Sequence, residues 1–438
     1  FKIYYAIIKV RKQRREMSMK AKIISLFHYL LVFLLIIFNT SCQAKSINIV
    51  DTNNNDQIEL NFYGYKTEAI NVVAIEEILQ AYMDKNPNIT ITYESVEGTE
   101  YYEILKKRLA SNNYDDIFMI DEDNLQQLTN YNYFEDLSKL KTIKNFNTNS
   151  LEQMVQPDNT IPYIPTSISA FGLYCNLDLL EKHHQSVPKN NQEFMAVCQY
   201  FIEQGITPII ANNDISLKTI ALAKGLYPIY QSPEKDRIIA SLNQDPSILC
   251  NYLKEGYQYV KQLIDNKFID AATTLKTEKT ADDLIQFEEN KNPFMLTGAW
   301  ASVRVEKSSP DLNFKVYPYP ILDDGAILVS NIDTRVCINA KGPHITEAKK
   351  FIEYLSQEDV MWKFVNSQSS FSPLKEQRIA DDPKIQELSP YLTSEKTILG
   401  SDSNINLPLW SLTHDGITQL LTGNSIDSAL EIIKNYEQ

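Results

Sequence analysis

Glycine is scarce in this chain, 12 in 438 residues, while asparagine, isoleucine, lysine and tyrosine abound. That balance follows an AT-rich coding bias and says nothing of function. Cysteine is rarer: Cys42, Cys175, Cys198, Cys250 and Cys337 are the five. None sits in a CxxC or a Cys/His cluster, so zinc and thioredoxin-type chemistry have no support. Catalytic signatures are missing too. The sequence holds no HExxH, GxSxG, P-loop or GxGxxG, its five histidines lack metal spacing, and His183-His184 sits in a polar turn. No metal and no cofactor is therefore expected, and a binder is favoured over an enzyme. Positive charge is short as well. The formal charge is −14, and residues 1–41 hold eight Lys/Arg and one Glu, so Cys42 onward carries −21. That excludes a basic stripe for nucleic acid and disfavours polyanionic ligands.

Long apolar runs are absent but for one, and it lies in a leader. Residues 17–42 read MSMKAKIISLFHYLLVFLLIIFNTSC: two lysines, the apolar run Ile23–Phe38, then small polar residues stopping at Cys42. A bilayer span needs about 20 apolar residues, and this run is shorter, with His28 inside it. A charged n-region, apolar h-region and small-residue cut site make a secretory signal, residues 17–41. The stretch resembles a bacterial lipoprotein signal: Thr40 and Ser41 suit the positions before the lipidated cysteine, while Asn39 stands where the pattern prefers Leu. Export to the outer face of the cytoplasmic membrane, anchored through acylated Cys42, is the expectation. Met17 or Met19 makes a better start than Phe1, so residues 1–16 are read as upstream translation. Residues 42–56 form the lipidated Cys and an Asn-rich tether. Without Cys42 the cysteines are four; they permit disulfides without arguing for them. Cys198 falls on the apolar face Phe194, Val197, Phe201 as a small buried thiol.

The remaining 380 or so residues exceed one typical core, so two domains are expected. Strands alternate with helices. Ile58–Phe62 is a strand; Thr67 caps a helix with Ile70, Val73, Ala74, Ile78 and Ala81 on one face, stopped by Asn86-Pro87. Ile89–Tyr93 alternates as a strand, Tyr102, Leu105 and Leu109 mark a helix, and Ile117–Ile120 is an apolar strand. This order predicts βαβ units and a largely parallel sheet. Beyond Pro165 come a strand Phe171–Cys175, a helix Asn191–Gln204 closed by Gly205, and a strand Ile206–Ile210. A helix spans about Ser247–Lys267, and strands Phe294–Thr297, Phe314–Tyr317 and Arg335–Ile338 follow. Thr346 starts a helix, the last hundred residues are mainly helical, and Ser425 caps the final one.

What the chain has is aromatics beside turn residues: 25 Tyr and three Trp. Pyranose C–H faces stack on such rings, and hydroxyls need amide and carboxylate partners. Several segments together, over about residues 57–436, resemble the extracellular solute-binding proteins of ABC transporters that take up sugars and oligosaccharides. They are FYGYKTEAINVVAIEEILQAYMDKNPNITITYESV, YYEILKKRLASNNYDDIFMIDEDNLQQL, IPYIPTSISAFGLYCNLDLLEKHHQSVPKNNQEFMAVCQYFIEQGITPI, FEENKNPFMLTGAWA and TEAKKFIEYLSQEDVMWKFVNSQSSFSPLKE. The resemblance implies an α/β fold of the two-lobe periplasmic-binding-protein type (type II), each lobe a mostly parallel sheet flanked by helices, with ligand trapped between the lobes. Crossings are then expected near Pro162–Ser169, Phe314–Pro320 and Ser370–Pro373. Lobe one would hold 57–165 and 319–371, lobe two 166–318 and 372–438.

The same resemblance implies a site. Trp300, in the Thr297-Gly298-Ala299-Trp300 turn, would stack on sugar, the alternative being a core position under the turn. Trp410, 13 residues before Gly423, matches the spacing of a stacking Trp in maltodextrin-binding relatives; Trp362 lies mid-helix and reads as core. Asp123, just past the Ile117–Ile120 strand, where open α/β sheets bind ligands, would take sugar hydroxyls. Asp121 competes for that part, and helix capping is the alternative for both. Tyr63 and Tyr65 end the first strand at the cleft edge. Ser169 stands where some relatives carry a ligand carboxylate. Relatives often have a Trp after ITPI, whereas here Asn212-Asn213-Asp214 follows, which points to a different or smaller sugar. Asp333 and Arg335 are polar contact candidates. Tyr101-Tyr102 raises the tyrosines of iron binders, but Tyr102 fits the buried helix face. The expected partners are a sugar and an ABC permease, and a monomer is expected. A secreted carbohydrate-active hydrolase or lyase is the alternative, because glycosidase carboxylates leave no local signature. A binder serving a membrane sensor is a third.

Overall fold

A computed structural model describes residues 57–111, 115–128, 132–376 and 378–436. The leader, the tether and Cys42 lie outside the described residues. Residues from Gln57 onward form one compact unit. Among the described residues no helix is long and apolar enough to cross a membrane.

Ten strands lie among the described residues: β1 (Ile58–Gly64), β2 (Ile89–Ser95), β3 (Ile117–Ile120), β4 (Ile164–Asn176), β5 (Ile209–Ile210), β6 (Phe294–Gly298), β7 (Phe314–Tyr317), β8 (Tyr319–Leu322), β9 (Gly325–Ile338) and β10 (Thr397–Leu399). Their order is β2-β1-β3-β9-β4-β6-β5, with β8 and β10 on β9 and β7 on β4. β1 pairs in parallel with β2 and β3, as helix crossovers require. β9 then runs antiparallel to β3 and β4, and β4 antiparallel to β6 and β7. The sheet is thus mixed. Parallel pairing dominates only where helices separate consecutive strands.

Apolar side chains gather into a first core around β1–β3, with the helices Ala69–Lys85, Ile345–Leu355 and Glu358–Asn366. Two more clusters cover the faces of the second half of the sheet, around β4 and β6. Within the larger of these, the helix Ile215–Tyr230 is buried along most of its length. β4 carries the chain from Ile164 in the first core to Phe171 in the second. β9 makes the return: Ile327 and Val329 belong to the second core and Ile332 to the first.

That return corrects one boundary. Tyr319, Ile321 and Leu322, expected in lobe one, pack in the second core. The crossing therefore runs through β9 near residues 330–332, not through Phe314–Pro320. A strand this long spans roughly 45 Å at about 3.3 Å per residue, enough to serve both cores. Downstream, Phe371 bridges to Ile168 and Leu374 to Phe146.

Other local expectations shift too. Glu68, not Thr67, stands at the N-cap of Ala69–Lys85. The helix Thr99–Ala110 buries Tyr101, Leu105 and Leu109, so Tyr101 and not Tyr102 holds the inward position. Among the described residues of 367–408 only β10 and the 3₁₀ segment Gln386–Tyr391 are regular, so the last hundred residues are less helical than expected. Asn190 caps Asn191–Glu203 while Glu193 reaches back to the Lys189 amide, a reciprocal cap, and Gly205 ends the segment at φ +75°. Ser425 caps the last helix through the Ser428 amide at 3.1 Å.

Candidate functional site

Between the two cores lies a cleft of about 320 Å³, lined from both sides. The first core's side contributes Lys66, Glu68, Asp121 and Glu122; the second's contributes Phe171, Lys279, Trp300, Arg304 and Trp410. Asn331, Asp333 and Arg335 of β9 and Ser169 of β4 line it where the strands pass between the cores.

Its floor is aromatic. Trp300 stands in the 3₁₀ turn Ala299–Ala301 that follows β6, and Trp410 in the first turn of the helix Leu409–Leu421. Phe171 holds both: its centroid is 5.4 Å from the Trp300 ring, edge-on, and 5.3 Å from the Trp410 ring, tilted. Each indole also lies against a glycine. A Cβ on Gly298 would come within 2.0 Å of the Trp300 ring, and one on Gly400 within 2.9 Å of the Trp410 ring. Neither position accepts a side chain without displacing its tryptophan.

The walls are polar, and their cations are matched. Lys66 pairs with Asp333 at 2.7 Å, and Arg335 with Glu122 at 2.6 Å. Arg304 faces Glu68 across the cleft at 3.7 Å, and Lys279 pairs with Asp214. Each lining lysine and arginine therefore has a carboxylate partner. Burial raises the Asp333 carboxyl, but Lys66 and the nearby hydroxyls hold it below the usual carboxylate range. Arg335 is 2% exposed; burial alone would favour its neutral form, and Glu122 outweighs that, keeping the guanidinium charged.

The sequence-expected residues divide. Trp300, Trp410, Asp121, Ser169, Asp333 and Arg335 all line the cleft. Asp121 also caps the helix Glu122–Leu128, its Oδ1 accepting from the Asn124 amide at 2.8 Å. Asp123 is in the first turn of that helix, and its side chain lies outside the described residues. Tyr65 lies behind the wall, its hydroxyl donating to the Asp333 carbonyl at 2.9 Å. Tyr63 is a correction. It is fully buried, stacked on Tyr101 at 4.9 Å with the Arg108 guanidinium 4.1 Å from its ring centroid. It shares its strand face with the exposed Glu59 and Asn61, but Tyr101 and Arg108 cover that face at its position. Trp362 is partly buried against the first core.

Reading the sequence missed Glu122, Lys66, Glu68, Lys279 and Arg304. Glu122 had one signal: an arginine inside an apolar strand needs a buried carboxylate, and the segment Asp121–Asp123 supplies three candidates.

Arg108, next to Tyr63, also faces Asp115, 3.1 Å from its carboxylate. Burial pushes the Asp115 carboxyl up to about 6 despite that arginine. A carboxyl raised on folding stabilises the fold below its unfolded value, near 3.9, and the contribution is lost as pH rises through 6. Asp115→Asn should therefore gain stability relative to the parent between pH 4 and 7, by roughly 1–2 kcal/mol after solvent screening. Urea unfolding at both pH values checks this, and a pH-independent difference would contradict it.

A second groove, of about 440 Å³, abuts the same strand at Asn331 and Ile332. Its one ring, Tyr230, is already tied through its hydroxyl to Asp402 at 2.5 Å. It lacks the stacking surface of the first.

Two cores sharing two long strands, with an aromatic-floored polar cleft between them, define a two-lobed ligand-binding protein. Residues 77–389 match the model of the bacterial extracellular solute-binding protein family, and the chain belongs to that family. The multiple sugar-binding protein of Streptococcus mutans is 21% identical over 359 residues, 78% of this chain and 81% of that protein. A family 1 extracellular solute-binding protein from Bifidobacterium longum subsp. infantis superposes with a TM-score of 0.68 at 20% identity, covering 86% of this chain and 97% of that one. A sugar transporter from Bacillus licheniformis solved with stachyose gives 0.65 at 19% identity, covering 86% and 98%.

Proposed function

We propose that this protein captures a neutral sugar or oligosaccharide in the cleft and delivers it to an ABC permease, doing no chemistry itself. One observation carries this: Trp300, Trp410 and Phe171 form a continuous aromatic floor under polar walls from both cores. Pyranose rings stack on indoles, and carboxylates and amides on the walls take their hydroxyls. Because the lining cations are already paired, an anionic ligand finds no unmatched positive charge.

The lobes, 57–165 with about 331–371 and 166–330 with 372–438, would close by bending where β4 and β9 pass between them. Preferential binding to the closed state would drive that closure. Acylated Cys42 and the tether 43–56 would hold the cleft near the permease, and more than one acyl chain makes a stable anchor.

Titration calorimetry on protein lacking residues 1–42, against a panel including raffinose, stachyose, chito-oligosaccharides, glucuronate and glucosamine, tests this. A neutral sugar should bind with a Kd of about 1 μM, which corresponds to about −8 kcal/mol. Silence across all neutral sugars would overturn the proposal.

A further inference from the structure

Beneath Trp410 lies a buried cation that sugar capture does not itself demand. Lys218, on the helix Ile215–Tyr230, is 2% exposed, yet it is surrounded by the apolar residues of the second core. Its Nζ lies 4.2 Å from the Trp410 ring centroid, well within cation–π range. Asp214, one turn earlier, holds that ammonium at 2.5 Å. The other oxygen of the Asp214 carboxylate takes Lys279, which lines the cleft and is half exposed. Asp214 is itself fixed. Asn212 is buried; its Oδ1 accepts from the Asp214 and Ile215 amides at 3.2 and 2.9 Å, and its amide donates to Asp283 at 2.9 Å.

Burying an ammonium–carboxylate pair does little for stability; apolar residues of similar volume in such places are often neutral or stabilising. The pair therefore needs another explanation, and its placement supplies one. It joins the back of the ligand-facing indole to a cation on the cleft wall through a single carboxylate.

We propose that Asp214 and Lys218 are positioning residues for ligand binding: Lys218 occupies the inner face of Trp410 and fixes the indole so that one face is presented to the cleft, while Asp214 sets Lys279 beside it as a donor to ligand hydroxyls. This rests on the sugar-binding proposal for its ligand, but its effect on Trp410 exists without any ligand. Lys218→Met keeps the length and the apolar contacts and removes the charge.

Two measurements separate the possibilities. The first is acrylamide quenching of ligand-free protein in a Trp300→Phe/Trp362→Phe background, where Trp410 is the single tryptophan. Lys218→Met should raise the quenching constant of that indole about twofold or more, with the melting temperature close to the parent's, because Asp214 keeps Lys279 as its partner and is partly exposed. The second is the Kd for whichever panel sugar binds the parent, which should weaken about tenfold in Lys218→Met and in Asp214→Asn in the otherwise native protein. A purely structural lysine would instead lower the melting temperature and leave the affinity of the folded fraction unchanged. Unchanged quenching in Lys218→Met overturns the positioning role, as does unchanged affinity in both variants. If the parent binds no sugar, the sugar proposal fails while the quenching result still decides this one. If Lys218→Met does not fold, Asp214→Asn carries both readouts with the same two overturning outcomes.

Discussion

Trp410→Ala should weaken sugar binding by roughly ten- to a hundredfold while the protein still folds. The indole is one of two that offer the cleft a flat face. Its near neighbours are the Phe171 ring at 5.3 Å, the ammonium of Lys218 and the backbone at Gly400. Losing it removes the stacking contact, worth about 0.5–1.5 kcal/mol beyond area, and the buried area itself, at about 25 cal/mol per Å². Together these come to about 1.4–2.8 kcal/mol, the stated range. Calorimetric titration checks it, with circular dichroism to confirm the fold. Unchanged affinity would remove Trp410 from the site. Trp300→Ala should behave alike, because the two rings share Phe171 as their support.

Arg335→Met should be the most destabilising single change in the cleft wall, by about 3–5 kcal/mol. The guanidinium is 2% exposed and its partner Glu122 6% exposed, so removing the arginine strands a carboxylate with little water. The Ser403 hydroxyl donates to the same carboxylate at 2.6 Å, and Gln153 reaches Asp402 beside it at 2.8 Å. The pair thus joins the start of the Glu122 helix, β9 and the 401–403 loop at the point where the lobes meet. The double variant Glu122→Gln/Arg335→Met, which leaves no charge behind, should recover most of the loss. Urea midpoints compared at constant slope measure it. A single variant as stable as the double would show that the pair is not effectively buried.

The elements legible in the sequence were those with an exposed side to set a period. The helix Asn191–Glu203 has alternating faces, a capping asparagine and a terminal glycine, and it was readable to within a residue or two. The helix Ile215–Tyr230 is buried nearly all round and carries Pro228 inside it, so no amphipathic stripe announced it. β9 was read only at its end, Arg335–Ile338. Its middle carries Asn331 and Asp333, polar because they line the cleft, and that broke the apolar run.

The site divided in the same way. Trp300 and Trp410 were findable because tryptophan is rare here and each stands beside a turn or helix start. Tyr63 was misplaced because the exposed Glu59 and Asn61 on its strand face gave no sign that Tyr101 and Arg108 cover that face at its end. Lys66, Lys279 and Arg304 were invisible, since a surface lysine and a cleft lysine look alike until the partners 267, 65 and 236 positions away in sequence, Asp333, Asp214 and Glu68, are brought beside them.

The most direct test of sugar capture in the cleft is a paired calorimetric titration. The tightest-binding neutral sugar is injected into the parent and into Trp300→Ala/Trp410→Ala, both verified as folded. Saturable heat of binding in the parent and none in the double variant is the result expected of a ligand held on this aromatic floor. Equal heats and equal affinities in the two proteins would place the ligand elsewhere and contradict the account.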